Sequence, residues 1–271
     1  GLAPDAEAAL PLYSRYWLHN RGPAPLGGLP AVAHLHPETA AAQPGDTVRL
    51  RLSIASDCSD SVVSGAVRMR YANGWSVAQE RGASGIEAAA EDPAVRMLTG
   101  DRREGADLHV ELPPRGYRDV EFAVRVPDDA TPGQYPVSVE LALSGDVPPS
   151  WRQPVEDVCI ITVGNDGGDL VRLVDGPQDI VIERGQSARL VATVGSDARG
   201  DLSLEAHLIS PWGTWEWIGP AATGAVLPAQ STVAVGFDVT PPPWLTPGQW
   251  WALIRIGCAG RLLYTSAVAV T

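Results

Sequence analysis

The 271 residues carry 32 Asp and Glu against 20 Lys and Arg, a formal net charge of -12, and every one of those cations is Arg. An acidic chain without clustered cations is excluded as a binder of phosphate backbones and disfavoured at an anionic membrane, and no apolar run reaches spanning length. With 45% hydrophobic residues, 28 Gly and 24 Pro the composition fits short strands joined by many turns, and the length suits two sandwich domains of roughly 100 to 150 residues each.

Residues 1–29 form an arm or connector in which Tyr13, Tyr16 and Trp17 precede a run rich in Gly and Pro. Those aromatics need cover, either from the first sandwich or from a preceding domain. The chain opens on Gly1 with no signal peptide and reads as a fragment of a longer protein. Compartment stays open, with an extracellular or cell-surface setting favoured.

The first sandwich is assigned to residues 30–164. It opens on a short strand whose His34 and His36 share one face, so that in geometry they could pinch a metal. With no third ligand nearby in sequence, an exposed edge pair is the better reading. Val48, Leu50, Leu52 and Ile54 then alternate with Arg49, Arg51 and Ser53, the pattern of a half-buried strand.

This strand belongs to an internal repeat. Pro44 to Trp75 lies without a gap over Arg184 to Trp215 at an offset of 140, and Leu112 to Leu143 lies over Leu227 to Cys258 at an offset of 115. The first copy therefore holds 25 additional residues, placed within 76–111, where extra edge strands or a long loop are expected. In the later block an alternating strand ends in Pro-rich turn chemistry, and Thr-Pro-Gly-Gln with an aromatic, Tyr135 or Trp250, starts the next strand. Tyr135, Val137, Val139, Leu141 and Leu143 point inward in one copy, and Trp250, Ala252, Ile254, Ile256 and Cys258 in the other. A long loop then leads to a strand from Asp157 to Val163 in the first copy, where the second has a tight hairpin at Ala259 and Gly260.

Residues 165–169 are the linker and 170–271 the second sandwich. Asn165, Asp166 and Asp169 offer oxygen ligands that could hold calcium, although their spacing matches no closed calcium loop and a solvated linker explains them. Arg199, Gly200 and Asp201 spell an adhesion tripeptide that reads as a turn. Three cysteines, Cys58, Cys159 and Cys258, form no metal-type pair. Immunoglobulin strand order would bring Cys58 and Cys159 to the same end of a sandwich, where a bridge is conceivable, and Cys258 falls on an inward position as a buried thiol.

No catalytic signature emerges. Glu91 with Asp92 and Asp128 with Asp129 are adjacent pairs that point to opposite faces of a strand, unlike the paired carboxylates of a glycosidase. His109 and His207 have no nucleophile in sequence range, and no cofactor motif is present. The tryptophans of the second sandwich are the ligand candidates, because a flat aromatic face can stack against the apolar face of a pyranose. Trp215 and Trp250 fall on Trp75 and Tyr135 and are assigned to a shared core. Trp212, Trp217, Trp244 and Trp251 have no counterpart and are the residues to test for stacking or docking.

The Pro-Gly-Gln-aromatic block following an alternating strand and a Pro-rich turn resembles the NEW3 type of immunoglobulin-like module appended to glycosidases. The run Tyr16-Trp17-Leu18-His19-Asn20-Arg21-Gly22-Pro23-Ala24-Pro25-Leu26-Gly27 is similar to a segment that follows the catalytic part in actinobacterial proteins of the family 38 glycoside hydrolase, α-mannosidase-like class. The resemblance implies a zinc site and catalytic carboxylate in an upstream domain, none of whose residues is matched here. The expectation is an all-β chain of two tandem immunoglobulin-like β-sandwich domains, non-catalytic and without cofactor, serving as an accessory region of a larger carbohydrate-active protein. Its partner would be a neighbouring domain of the same polypeptide or a glycan. A carbohydrate-binding module and a bacterial cell-surface stalk are the alternatives.

Overall fold

The computed structural model describes residues 31–56, 58, 60–80, 97–99, 108–144, 155–164, 168–183, 185–210 and 222–271, and among them all regular structure is β-strand. The chain divides into two compact units that part between Gly168 and Asp169.

The first unit has two five-stranded sheets. One runs β1 (Ala31–His36), β3 (Thr47–Ser56), β8 (Tyr117–Arg125), β5 (Ser76–Glu80) and β6 (Met97–Thr99); the other runs β2 (Thr39–Ala42), β10 (Val155–Val163), β9 (Gly133–Ser144), β4 (Val63–Arg70) and β7 (Leu108–Leu112). The period of two does the sorting. On β3, Leu50, Leu52 and Ile54 are buried while Arg49 and Arg51 stay exposed, and on β9, Val137, Val139 and Leu141 lose all contact with solvent. Each such aliphatic side chain contributes about 1.5 to 3 kcal/mol when fully buried. Trp75 and Tyr135 close one end of this core with ring centroids 4.8 Å apart. Within 76–111, β5 and β6 extend the first sheet beyond β8.

The second unit sets the sheet β11 (Arg172–Asp175), β12 (Ala188–Gly195) and β15 (Thr232–Val239) against β14 (Ala222–Leu227), β13 (Leu202–Ile209), β16 (Trp250–Cys258) and β17 (Arg261–Tyr264), with β18 (Val268–Val270) also pairing β16. A two-residue loop joins β16 to β17, and both Ala259 (φ 47°) and Gly260 (φ 75°) sit in the left-handed region that such a hairpin requires.

The repeat reaches further than the sequence blocks. In the first unit β2 pairs parallel to β10, and in the second Ile180, 140 residues after Ala40, bridges parallel to Val270. Even the positive-φ positions recur: Gly45 and Gly185 have φ of 87° and 81°, and Arg115 and Gln230 have φ of 53° and 51°. The Arg115 amide donates to the Cys58 carbonyl at 2.7 Å, and the Gln230 amide donates to the Ala198 carbonyl at 3.1 Å. Each loop is tied by a serine, Ser56 Oγ accepting from the Cys58 amide and Ser196 Oγ from the Ala198 amide.

This correspondence settles the pairing that the sequence left open. Cys58 occupies the slot of Ala198 beneath a turn, Cys159 lies in the middle of β10 opposite Val137, and all three cysteines are buried thiols outside any disulfide. Cys58 and Cys159 form no bridge, and Cys258 is the buried thiol expected. One correction concerns Trp250. It keeps the inward register but sits only half-buried at the start of β16, outside the core that Tyr135 joins in the first unit.

Candidate functional site

The second unit carries an apolar cleft of about 120 Å³ at the end of the sandwich where β16 begins. Pro241, Pro242, Leu245 and Pro247 form one wall, with Ile182, Val270 and the Trp250 ring across from them. The Ile182 amide donates to the Thr271 carbonyl at 2.8 Å, and the Thr271 amide donates to the Ile180 carbonyl at 3.0 Å, which fixes the strand pair beneath Ile182 and Val270. The opposite wall is set by prolines, whose fixed φ leaves the loop little freedom. Its turn closes with the Leu245 amide donating to the Pro242 carbonyl at 3.0 Å, and the tip of that turn presents Trp244 at 69% exposure.

Of the tryptophans singled out from the sequence, Trp212 and Trp217 lie outside the described residues, as does Trp215. Trp251 is 46% exposed and projects from the face of β16 opposite to Trp250. Trp250 and Trp251 thus serve different surfaces, and only Trp250 lines the cleft. Of the candidate calcium ligands, Asn165 and Asp166 lie outside the described residues. The exposed Asp169 acts through its backbone: its amide donates to Asp197 Oδ2 at 3.0 Å and its carbonyl accepts from the Asp197 amide at 2.9 Å. The Arg172 guanidinium, 2.8 Å from Asp197, holds that carboxyl below its ordinary range. In the adhesion-like tripeptide, Asp201 Oδ1 accepts from the Ala229 amide at 2.9 Å, so that carboxylate caps a turn.

His34 and His36 stack with ring centroids 5.5 Å apart. The third group near them is Asp157, wholly buried, which accepts from the Leu35 amide at 2.8 Å and lies 3.3 Å from His34 Nδ1. No group of three or more metal-ligating side chains forms among the described residues.

One constellation was not visible in the sequence. Glu205 and His207 alternate outward on β13, where alternation predicts solvent, yet Glu205 is only 2% exposed. Its Oε1 is paired with His207 Nε2, and no described partner satisfies Oε2. Gly224 and Gly257 stand in register on either side of Glu205, and Arg255 stands opposite His207. Burial pushes the Glu205 carboxyl up to about 8 against the opposing pull of Arg255, and burial aided by the Arg255 charge pushes the His207 imidazole down to about 4. A protonated carboxyl donating to a neutral imidazole satisfies both shifts without burying net charge. No sequence signal marks the burial of Glu205, because the two flanking glycines come from strands distant in sequence.

No family model matches the chain, and no curated protein matches it. Among solved structures, a family 123 glycoside hydrolase from Clostridium perfringens is similar over 50% of this chain and 28% of its own, at 12% identity and a TM-score of 0.33. Red sea bream transglutaminase is similar over 92% of this chain and 32% of its own, at 14% identity and a TM-score of 0.28. A cohesin–dockerin complex from Clostridium thermocellum is similar over 49% of this chain and 98% of the matched chain, at 16% identity and a TM-score of 0.30. The match spans about a third or less of the first two proteins, and none of these similarities is strong enough to carry a function across.

Proposed function

We propose that this chain is a non-catalytic accessory region of a larger carbohydrate-active protein, in which rigid sandwiches brace or position a catalytic domain. The observation that carries the reading is the end of the second unit, where an apolar, proline-walled cleft adjoins a tryptophan at 69% exposure. An exposed aromatic beside an apolar cleft is a surface suited to contact with another domain, and proline walls hold it ready without further ordering cost. The occupant is a neighbouring domain of the same polypeptide, and the likeness of the Pro-Gly-Gln-aromatic block to NEW3 modules supports that assignment. The parent in this reading is a glycoside hydrolase of the α-mannosidase-like class.

Glycan binding by the second unit is the other reading, favoured by the exposed faces of Trp244 and Trp251. Affinity-gel electrophoresis of the chain in soluble polysaccharides separates the two. The accessory reading expects equal mobility for the wild type, Trp244→Ala and Trp251→Ala. Retardation of the wild type that either substitution abolishes would replace it with the glycan-binding reading.

A further inference from the structure

We propose that the outward face of the first unit's β1-β3-β8 sheet is a binding site for an acidic sugar, with its carboxylate held by arginine and its hydroxyls by a glutamate. The choice of a sugar rests on the carbohydrate reading above; the charge pattern stands by itself. Pairing register places His36, Arg51 and Glu121 in one row across the three strands and His34, Ser53 and Asp119 in the next. Glu80 follows Glu121 in register on β5. Arg51 thus stands on β3 and Asp119 and Glu121 on β8, so the face carries opposite charges on adjacent strands.

The row opens into a concavity of about 490 Å³ lined by His36, Pro37, Arg49, Leu50, Arg51 and Glu121. That volume lies within the range of roughly 300 to 1,000 Å³ typical of small-ligand sites. Arg51 and Glu121 are exposed and stand directly opposite each other, a geometry in which opposite charges ordinarily pair. No ion pair joins them among the described residues; the Arg51 charge acts instead on Asp119 in the next row, which leaves the Glu121 carboxylate its hydrogen-bonding capacity. The contrast is Arg189 and Asp238 in the second unit, equally opposed, which close to 2.9 Å.

Neighbouring groups sharpen the assignment. Asp119 already accepts from Ser53 Oγ at 2.6 Å and from the Tyr117 hydroxyl, which leaves Glu121 as the acceptor facing the concavity. His36 is oriented by its stack on His34, which in turn lies against the buried Asp157. The fold does not need these side chains. At the repeat-equivalent positions of Arg51, Glu121 and His36 the second unit has Val191, Gly236 and Gly176.

A planar carboxylate suits the fork of Arg51, because two parallel N–H groups meet two oxygens. Ring hydroxyls donate to Glu121. A neutral sugar leaves Arg51 unmatched, and a simple anion leaves Glu121 without donors and is repelled by it. A ligand that joins an anion to hydroxyl donors matches both groups.

Calorimetric titration of the chain with galacturonate, glucuronate and mannuronate trisaccharides tests this, with a neutral galactose trisaccharide and sulfate as controls. Saturable binding of at least one acidic trisaccharide is expected, weakened about tenfold or more by Arg51→Ala, severalfold by Glu121→Gln and not at all by Trp244→Ala. Both substitutions fall on exposed side chains, and an unchanged thermal transition shows that the variants fold. Absence of saturable binding for all three acids, equal affinity in Arg51→Ala, or sulfate binding as tightly as the best acid would overturn the inference. Affinity lost in Trp244→Ala would also overturn it, by moving the sugar to the second unit. Binding that depends on Arg51 stands even if the cleft beside Trp244 docks no domain.

Discussion

The same four residues, Thr-Pro-Gly-Gln, lead into β9 of the first unit and β16 of the second, and the aromatic that follows meets a different fate in each. Tyr135 turns in against Trp75, and its hydroxyl donates to the Thr131 carbonyl at 2.7 Å, four residues upstream. This is the arrangement of a tyrosine corner, in which the first turn is locked to the strand it starts. Trp250 keeps the inward register, but an indole has no hydroxyl to reach that carbonyl. It stays half-buried and becomes one wall of a cleft whose other wall is proline. One repeat position thus closes a core in the first unit and leaves an apolar opening in the second, which is where a surface for a partner can arise without a new fold.

The contrast can be broken most forcefully at Trp75. Trp75→Ala removes a ring only 3% exposed and should cost the first unit about 3 to 5 kcal/mol, leaving the second unit unchanged. Hydrogen exchange followed by peptide in denaturant resolves the units, and a comparable loss in the second would contradict the description of two separate cores.

The next largest effect is a pH dependence confined to the second unit. Folded Glu205 keeps its proton up to about 8 against an ordinary 4.5, so the stability it contributes is full below 4.5 and erodes as pH rises to 8. Folded His207 titrates at about 4 against 6.5, so its contribution is full above 6.5 and erodes as pH falls. Between 4.5 and 6.5 the two slopes oppose, and between 6.5 and 8 that of Glu205 acts alone, lowering stability by about 2 kcal/mol. Denaturant midpoints against pH should show this decline in the second unit, and Glu205→Gln should flatten it. A decline that survives Glu205→Gln would assign it to another group.

Smaller effects refine the picture. Tyr135→Phe keeps the ring and removes the hydroxyl's bonds to the Thr131 carbonyl and hydroxyl, so about 1 to 2 kcal/mol should be lost from the first unit. Cys58→Ala places in the first unit the residue that the second already has at Ala198, and its cost should stay under about 1 kcal/mol. Burial pushes the Cys159 thiol up to about 12, with the Asp157 charge adding to it, so this residue should resist alkylation at pH 8 until the chain unfolds.

Much of this architecture was legible because strands announce themselves by alternation and repeats by offset. Leu50, Leu52 and Ile54 face the core as their spacing demands, and the later repeat block placed β9 and β16 to within a few residues. Position along a strand was less legible. Alternation gives the face a residue points to, not its depth, so Trp250 was assigned to the core although it lies at the strand's mouth. Glu205 failed in the opposite sense, since its outward register predicted solvent and it is buried. The Cys58 and Cys159 bridge rested on strand order alone, whereas the slot Cys58 fills is set by the turn at Arg115 and the serine beside it. The concavity at Arg51 and Glu121 depends on which residues two distant strands bring into register, which the sequence does not display.

The account turns on the cleft beside Trp244 being covered by a neighbouring domain. Hydrogen exchange at the Leu245 to Trp250 amides, compared between this chain alone and the chain joined to the proposed neighbouring domain, addresses it directly. These amides should gain protection in the joined form, and Trp244→Ala should remove the gain. Equal exchange in both forms would contradict it.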